Sequence, residues 1–90
     1  MKFIIIILLS GLTACSNNHW DGFVFLDKNK PEIFEKTKTY SNYENCRSGA
    51  WTLLLEANAV DTGYIECGLN CSESLAAKTG YSCEEIIRNR

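Results

Sequence analysis

The sequence has few of the residues that most catalytic mechanisms need. It contains one histidine, His19, whereas a Ser or Cys nucleophile needs a histidine base together with an acid. We expect His19 to be a solvated linker residue. Glu84 and Glu85 are adjacent, so on a strand they would face opposite ways and could not form a glycosidase pair. A glycine-rich phosphate loop is also missing. We therefore predict a protein that is not an enzyme and uses no cofactor.

Basic clusters are missing as well. Nine Lys and Arg residues stand against eleven Asp and Glu residues, which gives a net charge of −2. Nucleic-acid binding requires a basic patch, and so does attachment to lipid headgroups through a polybasic segment. We expect neither, and no nucleic-acid partner. No internal repeat or low-complexity tract is present, and 90 residues allow one domain.

The only long apolar run lies at the start of the chain. Residues 3–9 are uninterrupted apolar residues that follow Lys2, the pattern of a secretory signal peptide. The alternative is a retained transmembrane helix, which needs roughly 20 mostly apolar residues. Polar residues 16–19 arrive too early for that. We predict a signal peptide over residues 1–14.

The end of this segment carries a four-residue motif. Leu12-Thr13-Ala14-Cys15 resembles the lipobox of bacterial lipoproteins. The resemblance implies cleavage before Cys15, a diacylglycerol thioether on its sulfur and an acyl chain on the new amino group. Because two or three acyl chains hold a protein firmly on a bilayer, the membrane is an expected partner. In enterobacterial lipoproteins an Asp after the lipidated cysteine favours the inner membrane. Ser16 therefore favours the periplasmic face of the outer membrane, in a cell that has two membranes.

Four cysteines follow Cys15. An even number in an exported chain indicates two disulfides, with three possible connectivities. The alternative is a four-cysteine zinc site, but structural zinc sites use close pairs of ligands, and only Cys67 and Cys71 are close. We expect disulfides among Cys46, Cys67, Cys71 and Cys83, and no metal.

The remaining chain divides into a lipidated tether, residues 15–19, and a small domain, residues 20–90. Strands are predicted at residues 23–26, 33–40, 64–67 and 81–84, from short β-prone runs bounded by turn residues. Residues 33–40 contain two lysines, and lysine is common on edge strands because its charge prevents pairing with another chain. We therefore predict an edge strand here. Residues 72–80 form a longer connection with a possible helical turn at 74–77, and a polar tail follows residue 84. The predicted fold is α+β, in the order β-β-α-β-β, with one helix on a small antiparallel sheet.

The helix has the clearest signals. Ser41 and Glu44 form a capping box, and Gly49 is expected to allow close packing. An apolar face recurs at three- and four-residue spacing, through Tyr43, Cys46, Ala50, Leu53, Leu54 and Ala57.

The next strand, residues 64–67, alternates like a half-buried strand, with Ile65 and Cys67 toward the helix. A helix that feeds an antiparallel strand places its start near the end of that strand. Of the three connectivities we therefore prefer Cys46–Cys67 with Cys71–Cys83.

A wider set of motifs resembles a group of small proteobacterial lipoproteins. The motifs are Trp20-x-Gly22-Phe23-Val24, Asp27-Lys28-Asn29, Glu44-x-Cys46-Arg47, Tyr64-x-Glu66-Cys67-Gly68-x-Asn70-Cys71 and Cys83-Glu84-Glu85. They cover most of the chain after Cys15. This resemblance implies a shared fold and no particular activity.

Three large apolar residues are the candidates for binding. Trp51 and Leu55 lie on a helix flank away from the apolar face, and Trp51 is either core that covers the sheet edge or an aromatic anchor for a partner. Trp20 either packs in the domain or sits in the headgroup layer. The expected function is that of a protein-interaction lipoprotein, which recognises another envelope protein. The alternative is a passive structural component of the envelope.

Overall fold

The computed structural model describes residues 18–77 and 79–89. In chain order its elements are β1 (Trp20–Phe25), β2 (Glu35–Tyr40), α1 (Tyr43–Glu56), β3 (Tyr64–Leu69), β4 (Ser72–Glu73), β5 (Tyr81–Ser82) and β6 (Glu85–Asn89). Four strands form an antiparallel sheet in the order β2-β1-β3-β6, and α1 packs on one of its faces. The predicted α+β fold, with one helix on a small antiparallel sheet and two disulfides, is confirmed.

Strands β1 and β3 occupy the centre of the sheet and pair along the whole length of β1. β2 lies at an edge, as predicted for residues 33–40, although the strand begins only at Glu35. The register between β1 and β2 shifts between Asp21 and Phe23, where the pairing is irregular. Such a bulge bends and twists the edge of a sheet.

The helix begins one residue later than predicted. Asn42 has an extended backbone (φ −147°, ψ 164°), and its side-chain oxygen accepts a hydrogen bond from the Asn45 N–H at 2.8 Å. Asn42 is therefore the N-cap residue, and the predicted capping box between Ser41 and Glu44 is wrong. Asn and Ser cap helices about equally well, and here they are neighbours in the sequence.

The main core lies between α1 and the two central strands. Ala50 and Leu54 of the helix meet Val24 of β1 and Ile65 of β3, and all four are buried. Burying a Leu side chain contributes roughly 1.5–3 kcal/mol. Ala57, predicted on the same face, is exposed because the helix ends at the residue before it.

Gly49 allows the close packing that the sequence predicts. A Cβ atom at this position would overlap the ring and hydroxyl of Tyr40, the last residue of β2. The edge strand therefore reaches the helix directly at this point.

Both faces of β3 are buried, whereas the sequence predicts a half-buried strand. Ile65 and Cys67 face the helix, as expected, and have no exposed surface. Tyr64 and Glu66 on the opposite face are only 4% and 9% exposed, because the segment before β2 and the strand β5 cover that side. The alternation of polar and apolar residues in this strand therefore did not mean that one face was exposed. A Tyr ring can be buried, and so can a Glu that has an ion-pair partner.

The last third of the chain differs most from the prediction. Residues 74–77 form the turn of a short hairpin rather than a helical turn, and β5 pairs with β4 instead of joining the main sheet. The fourth strand of the main sheet is β6, in residues that the sequence assigns to a polar tail. Its Ile86 and Ile87 are adjacent and flanked by polar residues, so the strand lacks the alternation that indicates a half-buried strand.

The disulfides are Cys46–Cys67 and Cys71–Cys83, the preferred pairing of the three possible ones. The first links the first turn of α1 to β3 and has no exposed surface. The second is partly exposed and lies over Gly68, where a Cβ atom would overlap both sulfur atoms. Because these cysteines bind one another, the alternative zinc site is not formed.

Candidate functional site

Trp51 and Leu55 lie one turn apart on α1, so their side chains are neighbours on the helix. Trp51 is partly buried and packs against the main core, whereas Leu55 is 53% exposed. Part of the indole therefore belongs to the core, and the remainder adjoins an exposed apolar side chain. We refer to these two residues as the Trp51–Leu55 surface.

Trp20 lies apart from that surface. Its ring packs edge-on against Tyr43, with ring centroids 5.4 Å apart. Tyr43 is the first residue of α1, and Trp51 lies about 12 Å further along the helix at 1.5 Å per residue. The partly buried Trp20 thus has a packing role in the domain, at the opposite end of the helix from Leu55.

The predicted tether is attached to the domain from Asn18 onward. The His19 N–H donates to the Asn70 side-chain oxygen at 2.9 Å, and the Asn70 N–H donates to the His19 carbonyl at 2.8 Å. The Asn70 side-chain nitrogen donates to the Asn18 side-chain oxygen at 3.0 Å. The expectation that His19 is a solvated linker residue is therefore wrong. Asn70 lies in a left-handed turn just after β3 (φ 51°). It therefore holds His19, the residue that precedes β1, beside the end of β3.

The lipidation residue Cys15 and the signal peptide at residues 1–14 lie outside the described residues.

A cleft of about 490 Å³ lies on the sheet face opposite the helix, and sequence reasoning missed it. Three separate parts of the chain contribute to it: the sheet itself, the loop after β1 and the connection before β5. The residues that line it are Phe25, Pro31, Glu32, Tyr64, Glu66, Thr79 and Arg88. The available signal was the apolar alternation of Phe23 and Phe25 in β1, which indicates a second buried sheet face.

An ion pair forms one wall of the cleft. The Arg88 Nε–H donates to Oε2 of Glu66 at 2.9 Å, and Nη2 forms an ion pair with the same oxygen at 2.7 Å. The Glu66 side chain is about nine-tenths buried, whereas that of Arg88 is half exposed. The hydrogen bond with Glu66 raises the pKa of the Arg88 guanidinium above its usual value, so Arg88 is charged at every physiological pH.

Aromatic rings form the floor of the cleft. Phe25 and Tyr64 stack in parallel, with centroids 4.5 Å apart, and the Arg88 guanidinium lies 4.8 Å from the Tyr64 ring centroid. Stacked pairs and cation–π contacts each contribute about 1 kcal/mol. Phe34 packs on Phe25 from the segment before β2. The rings are therefore fixed in place before any ligand binds.

A second buried carboxylate has a structural role. Asp21 accepts a hydrogen bond from the Thr39 hydroxyl at 2.6 Å and pairs with Lys36 at 3.3 Å. Both partners belong to β2, so this group of three holds the edge strand to β1 beside the bulge.

The described part of the chain contains no group of three or more His, Cys, Asp or Glu side chains that could hold a metal ion. Within residues 18–77 and 79–89, none of the helical structure is both long and apolar enough to span a bilayer.

Comparison of the chain with protein-family models, with curated proteins and with solved structures returned no match.

Proposed function

We propose that this chain is a membrane-anchored bacterial lipoprotein whose folded part is a non-enzymatic protein-interaction module of the cell envelope. The lipid is carried by Cys15, and Ser16 favours the periplasmic face of the outer membrane. The observation that supports the envelope location best is that all four cysteines of the domain form disulfides. Structural disulfides persist in oxidising compartments and are rare in the cytosol.

The short tether supports a fixed orientation on the membrane. With Cys15 lipidated, the three peptide units from Cys15 to Asn18 span at most about 10 Å, and Asn18 is already held by Asn70. The end of the sheet where β1 begins then faces the bilayer. β1 ends at Phe25, about 17 Å further away at about 3.3 Å per residue.

This orientation gives Trp20 a second role. Trp20 is the first residue of β1, so it lies at the membrane end of the domain. The headgroup layer favours tryptophan because one end of the ring is apolar and the other polar. We therefore propose that the exposed part of Trp20 contacts the headgroup layer.

The interaction role rests on the Trp51–Leu55 surface. Leu55 is a large apolar residue with more than half of its surface exposed, beside an aromatic ring that the core holds rigid. A rigid aromatic residue is the usual anchor of a protein interface. A passive envelope component is the second candidate, and it has no need of such a surface.

Lipidation is tested by metabolic labelling with a palmitate analogue. The wild-type protein should incorporate the label and Cys15→Ser should not, because the thioether cannot form. Equal labelling of the two proteins would refute the lipoprotein proposal.

Interaction is tested by crosslinking in the native membranes, followed by purification of the lipidated protein. A partner that is captured with wild type should be lost with Leu55→Arg. It should be retained with Asn45→Arg, which adds the same charge at an exposed position about 15 Å along the helix from Leu55. Capture of no partner by any of the three proteins would favour the passive component, and equal capture by all three would refute the Trp51–Leu55 surface as the binding site.

A further inference from the structure

The described residues that line the cleft opposite the helix carry a net negative charge. Three of them are charged: Glu32, Glu66 and Arg88. Arg88 and Glu66 neutralise each other as an ion pair, so the net charge of these residues is that of Glu32. We propose that the cleft binds a basic side chain, lysine or arginine, of the partner protein. This inference rests on the proposed interaction function and identifies the chemistry of the partner.

The buried carboxylate of the pair remains accessible from the cleft. The Arg88 Nε–H donates to Oε2 of Glu66, and Nη2 lies beside the same oxygen, so the ion pair uses one of the two carboxylate oxygens. The Glu66 side chain keeps about a tenth of its surface exposed and lines the cleft. A ligand in the cleft can therefore reach this carboxylate.

The remaining walls fit the alkyl stem of a basic side chain. Phe25 and Pro31 present apolar surface, while Glu32 and Glu66 supply the carboxylates. A long basic side chain buries its methylene groups against apolar atoms and keeps its charged end at polar groups. The volume of about 490 Å³ lies within the usual range for ligand sites, about 300–1,000 Å³.

An acidic ligand fits the same cleft poorly. Arg88 is the only cation among the described lining residues, and it is already paired with Glu66 through its Nε–H and its Nη2 contact. Glu32 lines the same cleft, so a carboxylate that approached Arg88 would enter a cleft that also holds this negative charge. Like charges disfavour binding, and a basic group is attracted by the same carboxylates.

The location of the cleft suits a protein partner. Phe25 is the last residue of β1, so in the proposed orientation the cleft lies on the side of the domain away from the bilayer. A side chain from a periplasmic protein can then enter it without contacting lipid.

The test is a titration of the protein purified from its own membranes in a non-ionic detergent, followed by amide NMR spectra. The probe is the end-blocked peptide Gly-Gly-Lys-Gly-Gly, and Gly-Gly-Gln-Gly-Gly is the neutral control. We expect saturable shifts at Thr79 and Arg88 with the lysine peptide only. Shifts at these residues that are equal for both peptides, or that never saturate, would overturn the proposal.

Variants separate the cleft from general charge attraction. Glu32→Gln should raise the Kd of the lysine peptide about threefold, since an exposed ion pair is weak. Glu66→Gln should raise it about tenfold or more, since a hydrogen bond to a charged group is stronger. Glu56→Gln removes an exposed carboxylate at the end of α1 and should leave the Kd unchanged. Equal effects of Glu56→Gln and Glu32→Gln would refute the cleft as the site.

If Glu66→Gln does not fold, Glu32→Gln and its control decide the matter. Failure here would leave the labelling of Cys15 and the effect of Leu55→Arg on partner capture untouched, so the two proposals can fail separately.

Discussion

Replacing Cys46 and Cys67 together with alanine should reduce the free energy of unfolding more than the same replacement at Cys71 and Cys83. The sequence separations are 21 and 12 residues. Loop-closure entropy then assigns about 3.3 kcal/mol to the first disulfide and about 2.8 kcal/mol to the second. On chain entropy alone, the two losses would be nearly equal.

Burial makes them unequal. Cys46 and Cys67 have no exposed surface and lie between α1 and β3, whereas Cys71 and Cys83 are partly exposed. Each buried sulfur that alanine removes costs about 0.8 kcal/mol, the value for one methylene group. The expected losses are therefore about 5 kcal/mol and about 3 kcal/mol. A domain of about 70 residues has roughly 4–11 kcal/mol in total, so the first variant should keep at most about 6 kcal/mol, and at the lower end of that range it would be unfolded at 25 °C.

Urea titration of the purified, lipidated protein in non-ionic detergent measures both losses. Tryptophan fluorescence reports on Trp20 and Trp51, and far-ultraviolet circular dichroism reports on the helix. The wild-type protein, reduced with a dithiol so that both disulfides are broken, shows the loss of stability that the two variants can be compared with. A smaller loss for the Cys46–Cys67 variant than for the other would refute the argument that burial adds to the stabilising effect of that disulfide.

Three further predictions concern the helix and use the same urea titration. Asn42→Ala should lower the free energy of unfolding by about 1 kcal/mol because it removes the N-cap side chain, whereas Ser41→Ala should leave it almost unchanged. A larger loss for Ser41→Ala would show that Ser41 is the N-cap residue. Gly49→Ala should lose about 0–2 kcal/mol in total, because overpacking against Tyr40 costs about 1–3 kcal/mol and the higher helix propensity of alanine returns about 1 kcal/mol; a gain would contradict the close packing. Leu54→Ala should lose about 3 kcal/mol and Leu55→Ala under about 0.5 kcal/mol, and equal losses would show that Leu55 is not a surface residue.

The parts of the fold that the sequence predicted correctly depend on local patterns. The helix follows from apolar residues at three- and four-residue spacing, of which Ala50 and Leu54 are buried. The pairing of Cys46 with Cys67 follows because a helix and the antiparallel strand after it bring those two positions together. Both inferences need only neighbouring elements of the chain.

The parts that were missed depend on distant segments. The second face of the sheet is buried because Phe34 and Tyr81 pack on Phe23, and no local pattern shows that these residues meet. The cleft has the same origin, since its ion pair joins Glu66 of β3 to Arg88 of β6. The adjacent Ile86 and Ile87 of β6 do not alternate with polar residues, so the sequence pattern did not place Arg88 on a strand.

The strand order also bears on export from the cytoplasm, which the proposed function requires. β1 needs β3 as its second neighbour, and the helix lies between them in the chain. A nascent chain therefore holds the β1–β2 hairpin and the helix before it has the strand that completes their core. The cytosol also keeps thiols reduced, so neither disulfide can form there. A chain exported as we propose would cross the translocation pore unfolded, and oxidation on the far side would add the two disulfides that stabilise the folded domain.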